Sequence, residues 1–123
     1  MIKIFSGDTT TAYRDPACCF FNGEYQLFFT VSLKENGYMY NFTALSRSAD
    51  LIHWSAPEIL TEKDKAKNYC SPGSIIERGG EYILCVTSYP MPEPYSKCGI
   101  ANENARIYTI RTYDFKHFSA PEI

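Results

Sequence analysis

Between residues 25 and 31 the chain sets Tyr25, Leu27, Phe29 and Val31 against Gln26, Phe28 and Thr30, a period of two that predicts a β-strand. Apolar residues on both faces of that strand imply a sheet packed on both sides. An apolar stretch over 17–21 precedes it, and the Asn22-Gly23 pair between the two is a hairpin signal. A third strand is predicted over 38–47, where Tyr38, Tyr40, Phe42 and Ala44 alternate with Met39, Asn41, Thr43 and Leu45. A short fourth strand over 58–61 follows the turn Asp50-Leu51-Ile52-His53-Trp54. Only 61–67 is helical in composition, and without an apolar stripe it reads as loop.

The pattern then repeats. Residues 47–59 and 111–123 agree at eight of thirteen positions at an offset of 64, ending in Ser-Ala-Pro-Glu-Ile both times. Upstream, Tyr13-Arg14-Asp15-Pro16 aligns with Tyr69-Cys70-Ser71-Pro72, and Gly23-Glu24-Tyr25-Gln26-Leu27 with Gly80-Glu81-Tyr82-Ile83-Leu84. The second copy therefore predicts strands over 74–78, 82–89 and 105–112 and a fourth starting at Glu122. Four antiparallel strands in a unit of about 60 residues, repeated, describe β-propeller blades. The expected fold is all-β: two four-stranded antiparallel β-propeller blades, 13–61 and 69–123. Two blades cannot close a ring, so either further blades of the same protein or self-association should cover the bare faces. The chain's last residue, Ile123, falls where the first copy continues into Leu60-Thr61, and on this reading it interrupts a strand.

Composition narrows the partners. With 45% hydrophobic and 15% aromatic residues the chain is a folded one, and 12 basic against 14 acidic residues, a net charge of −2, leave no basic face for nucleic acid or an anionic membrane. The first ten residues lack a signal-peptide core, and no apolar run reaches the roughly 18 residues a membrane span needs. A cytoplasmic location is expected. Cys18, Cys19, Cys70, Cys85 and Cys98 form an odd set with no C-x-x-C spacing, which favours reduced buried thiols over disulfides or zinc. Asn41-Phe42-Thr43 has the form of a glycosylation sequon and reads as chance in a chain without a secretory signal.

The repeat acts as an internal control, because a residue present in both copies builds the blade. Asp50/Asp114, Glu58/Glu122, Glu24/Glu81 and His53/His117 all recur. They are assigned to turns and strand edges, which leaves no unpaired histidine for a Ser-His-Asp or histidine-metal site. Asp15 differs, because Ser71 stands at its place in the second copy. Both residues precede a proline, which predicts extended geometry, and both should open an innermost strand at one mouth of the axial channel. Tyr13 and Arg14 flank Asp15 there. The loop between the second and third strands reaches the same side, and in blade two it carries a seven-residue insertion with Pro90, Pro92, Pro94 and two tyrosines, Tyr89 and Tyr95. The loop 63–69 joins that side as well.

Taken together, Tyr13-Arg14-Asp15-Pro16, Asn22-Gly23-Glu24-Tyr25-Gln26-Leu27-Phe28-Phe29-Thr30 and Ser48-Ala49-Asp50-Leu51-Ile52-His53-Trp54 resemble the five-bladed β-propeller glycoside hydrolases. These are the family 43 arabinosidases and xylosidases with the related families 32 and 117, and the likeness covers the first two of five blades. The resemblance implies that Asp15 is the general base of an inverting hydrolysis of glycosidic bonds. It also implies a pKa-tuning Asp in blade two, where Ser71-Pro72-Gly73-Ser74 stands instead, and a Glu acid in blade three. Tyr13, Arg14, Tyr69, Ser71, Ser74, Tyr89 and Tyr95 are then the expected contacts to an oligo- or polysaccharide. No cofactor is expected. Some relatives hold an axial calcium or sodium, for which no ligand set is visible in these residues. The alternative is a non-catalytic carbohydrate-binding two-blade module that oligomerises, a reading favoured by the serines in place of the tuning Asp.

Overall fold

The computed structural model describes residues 3–90 and 103–123. Tyr95, Cys98 and most of the inserted loop therefore lie outside the described residues. Within them the chain forms seven strands and no helix: β1 (Thr11–Phe21), β2 (Glu24–Glu35), β3 (Tyr38–Ser48), β4 (Glu58–Ile59), β5 (Ile75–Arg78), β6 (Glu81–Ser88) and β7 (Arg106–Thr112). They build two antiparallel sheets in sequential order, β1-β2-β3-β4 and β5-β6-β7. The second sheet is three-stranded rather than four-stranded. At its outer edge an isolated bridge pairs Thr109 with Glu122, where the fourth strand was expected.

Tight turns set the register. Asn22-Gly23, Asn36-Gly37 and Gly79-Gly80 all place two successive residues at positive φ, the requirement of the type I′ hairpin turn whose twist matches the flanking strands. β2 then pairs with β3 without a break from Tyr25↔Ser48 to Glu35↔Tyr38.

The alternation in β2 sorts its side chains as expected. Leu27, Phe29 and Val31 join Phe42 and Ala44 in one apolar cluster, against which Phe5, Tyr13 and Trp54 pack. Phe28 faces the other way. With Leu45 it meets Tyr69, Leu84, Val86, Ile110 and Phe115 in the seam between the blades. Burying a side chain of this size contributes about 1.5–3 kcal/mol, so the seam is what makes the two sheets one unit. Several polar groups beside the seam are paired: Asn68 Oδ1 accepts from the Asn41 amide at 2.8 Å, and Thr43 Oγ1 donates to the Tyr69 carbonyl at 3.3 Å, while Asn41 Nδ2 is buried without a partner among the described residues. Asn41 is 1% exposed, so its sequon is closed to glycosylation in the folded chain.

The cysteine expectation needs correction. Four free thiols lie among the described residues, and of these Cys70 is buried, Cys19 and Cys85 are half-buried, and Cys18 is exposed. Cys18 and Cys19 are neighbours on one strand, so their side chains point to opposite faces.

Candidate functional site at the blade seam

The innermost strand begins earlier than expected, at Thr11, so Asp15 lies inside β1 rather than at its start. There the pairing jumps from Arg14↔Thr30 to Ala17↔Phe28. Asp15 and Pro16 together oppose Phe29, which is a β-bulge, and a bulge is where a strand tolerates a proline. The extended geometry expected before the proline is not what forms: Asp15 has φ 57° and Ser71, its counterpart, φ 50°. The left-handed conformation is uncommon for residues other than glycine. Its recurrence in both blades shows that it belongs to the blade, the bulge overriding the local preference.

The bulge has a consequence for direction. Tyr13, before it, packs at a tilt against Phe5 and edge-on to Phe29 with ring centroids 5.3 and 6.0 Å away, on the face turned from blade two. Asp15 turns instead toward the seam, where its Oδ2 accepts from Ser71 Oγ at 3.3 Å and lies 3.4 Å from Arg14 Nε. Ser71 is held in turn, since its amide donates to Thr30 Oγ1 at 2.7 Å, and Thr30 is fully buried. Cys70 lies beneath, its thiol pushed up by burial and partly offset by hydrogen bonds with Ser71 and Tyr89. Arg14 and Asp15 remain open to solvent, with side-chain exposures of 47% and 40%. The result is a carboxylate with one oxygen fixed from both blades. Among the described residues no protein group bonds its Oδ1.

Other expected contacts are distributed differently. Tyr69 is 2% exposed and packs edge-on to Tyr108 at 5.3 Å, inside the core and without a free ring face for a sugar. Its hydroxyl serves Lys67, whose ammonium it holds above the ordinary lysine value. Ser74 is exposed, and its carbonyl is used by the Cys85 amide at 3.2 Å. Tyr89 is half-buried beside Cys70, its amide bonded to the Lys67 carbonyl at 2.8 Å. Tyr13 lines a cavity of about 170 Å³ with Ile4, Phe5, Arg14, Pro16 and Leu27. The structure thus brings together Arg14, Asp15, Ser71 and Tyr89, and adds Thr30, Cys70 and Lys67. Thr30 recurs as Thr87, and that recurrence was the available signal for it.

The histidines sit elsewhere. His53 and His117 have side chains 86% and 89% exposed, and each ring Nδ1 stands 2.7 Å from the carboxylate three residues before it. Asp50 and Asp114 are held far below the usual carboxylate range, first by that histidine bond and then by the backbone amides of their own turns. Both pairs are turn locks. Among the described residues no three His, Cys, Asp or Glu side chains converge where they could hold a metal ion, so these residues offer no carboxylate cage for an axial calcium.

Comparison with known proteins bears on the family and the fold. The family model described as the glycosyl hydrolases family 32 N-terminal domain matches residues 9–121. No curated protein matches the chain. Among solved structures, one described as a GH130-family glycoside hydrolase targeting β-1,2 mannosidic linkages in Candida mannan superposes with TM-score 0.63 at 15% identity. A glycosyl hydrolase from Bacteroides ovatus superposes with TM-score 0.65, also at 15% identity. At that identity the likeness concerns the fold. Each comparison covers 89% of this chain and 31% of the other, so the chain spans about a third of the length of those proteins.

Proposed function

The chain belongs to the glycosyl hydrolase family 32 N-terminal domain family, a family of five-bladed β-propellers, and from that premise we propose that it forms the first two blades of a glycosidase acting on oligo- or polysaccharides. Asp15 is the carboxylate that works at the glycosidic bond. The observation that carries this reading is its position: a bulge aims it into the seam, Ser71 and Arg14 hold Oδ2, and Oδ1 is left for the reaction. In an inverting hydrolysis Oδ1 takes a proton from water as the water attacks the anomeric carbon. A carboxylic acid about 6.5–9.5 Å away then protonates the leaving oxygen. Ser71 occupies the matching place in blade two, so that acid comes from another part of the protein. Arg14, Tyr89 and Ser74, with Tyr13 at greater remove, are the sugar contacts this arrangement suggests, and Tyr95, outside the described residues, stays a candidate from the sequence alone.

The test is hydrolysis of aryl glycosides and fructo-oligosaccharides by the protein carrying Asp15→Asn. Loss of general-base catalysis lowers kcat by about 10²–10⁴, and wild-type turnover would remove Asp15 from the reaction. NMR of the first-formed sugar anomer checks the mechanism, since retention would make Asp15 a nucleophile. The serines at 71 and 74 favour a second reading, a sugar-binding module without catalysis. In that case saccharides bind at the seam while no substrate turns over.

A further inference from the structure

β1 carries the seam from Asp15 to Phe21, roughly 20 Å at the rise of a strand, and at this far end residues of both blades line an open cleft of about 420 Å³. That volume lies in the range of small-molecule sites. Its floor is apolar, formed by Phe21 and Phe115 with ring centroids 4.7 Å apart. Gln26 also lines it, is 2% exposed, and has an Oε1 with no hydrogen-bond partner. A buried acceptor without a donor is costly. The terminal amide torsion is broad enough to turn that oxygen to an occupant.

The rim is charged but nearly balanced, with Glu24, Glu58 and Asp114 against Arg47 and Lys116. Several of these groups are already committed. Arg47 bonds Glu58 at 2.9 Å and donates to the Phe115 carbonyl, and Asp114 closes its own turn with His117. Among the described residues, the side chains of Asn22, Glu24 and Lys116 make no hydrogen bond or ion pair. Free acceptors and donors therefore share a rim with an aromatic floor. An anion would find one free cation opposed by a free carboxylate.

We propose that this cavity binds one sugar unit of a neutral saccharide, as a second carbohydrate site away from Asp15. A sugar ring presents an apolar C–H face to Phe21. Its hydroxyls donate to Gln26 Oε1 and Glu24, and accept from Lys116 and the Asn22 amide. The choice of a sugar over another small polyol rests on the carbohydrate role proposed above, whereas the cavity and its unpaired acceptor do not. Held there, a polysaccharide would be anchored at one end of the seam.

The experiment is amide NMR of the full chain titrated with 1-kestose and with xylotriose, using glycerol and citrate as controls. The expected result is saturable shifts at Asn22, Glu24, Arg47 and Lys116 with at least one saccharide. A double variant, Glu24→Ala with Lys116→Ala, should bind about tenfold or more weakly; both residues are exposed, and the remainder of the spectrum reports the fold. Asp15→Asn should leave these shifts unchanged. Saccharide shifts confined to Asp15 and Ser71 would overturn this site and leave the proposed function standing. Shifts at the cavity alone would support it and count against a sugar site at Asp15. Absence of any shift, or an equal response to citrate or glycerol, would overturn it.

Discussion

Asp50 and Asp114 each gather a turn around one carboxylate, accepting from two backbone amides at 2.8–2.9 Å and facing a histidine ring nitrogen at 2.7 Å. All of these bonds favour the ionised form, so the folded-state pKa lies below the unfolded one, and the sign of the pH dependence follows. The stability these groups contribute is complete above the ordinary carboxylate value of about 4 and is lost as pH falls through the depressed folded value. Replacing both by asparagine should flatten the fall in thermal midpoint between neutral pH and acid. Unchanged acid sensitivity would place the effect in other carboxylates. In the His53→Ala variant, the Asp50 carboxyl ¹³C titration should move upward from its wild-type position, because the histidine bond is the largest cause of the shift. Asp15 shows the limit of reading at this scale. Its difference from Ser71 was visible in the sequence, but its direction was not, because the rule for residues before proline pointed to extended backbone and the bulge put φ at 57°. Tyr69 illustrates the same limit, since a loop tyrosine beside a candidate site gives no sign that its ring fills a seam between two sheets.

The strands themselves were legible wherever a hydrophobic period of two met a turn signal. β2, β3 and β6 come within a few residues of their expected limits, since a one-residue slip would turn every apolar side chain to the wrong face. β4 was overestimated and shrank to Glu58–Ile59. It is an edge strand with one partner, and its two residues are exposed. The hairpins permit a direct test at this scale. Gly23 has φ +83°, and an added Cβ would meet nothing within 4 Å, so Gly23→Ala isolates the backbone cost. It should destabilise by about 1–2 kcal/mol in urea unfolding. Gly79 has φ +61° and occupies the position of Asn22, a residue type that accepts this conformation. Gly79→Asn should therefore be neutral or stabilise by up to about 1 kcal/mol by restricting the unfolded chain. A loss as large as that of Gly23→Ala would show that the second hairpin is not the same turn.

At the scale of the whole molecule, equivalent residues of the two blades answer which faces are shared. Leu84 and Val86 are the counterparts of Leu27 and Phe29, and they bury themselves against blade one. The Leu27 and Phe29 side of blade one therefore has the face that blades use toward a preceding blade, here met by Phe5. The opposite face repeats in the same sense: Phe28 is covered by blade two, while Ile76 and Ile107, on the corresponding side of blade two, are 55% and 69% exposed. This one-directional stacking is propeller order, and it makes a prediction from a single repeat position. Leu51 and Phe115 occupy the same turn with φ 63° and 57°, yet Leu51 is 47% exposed and Phe115 1%. Phe115→Ala removes the ring that touches Phe21, Phe28 and Tyr82, and should cost about 3–5 kcal/mol. That is a large share of the 5–15 kcal/mol typical of a domain. Leu51→Ala, with no blade against it, should change stability by no more than about 0.5 kcal/mol. Chemical denaturation of the two variants measures the difference directly. Equal costs would mean that the blades do not stack through this seam, and the placement of Asp15 against Ser71 would fall with it.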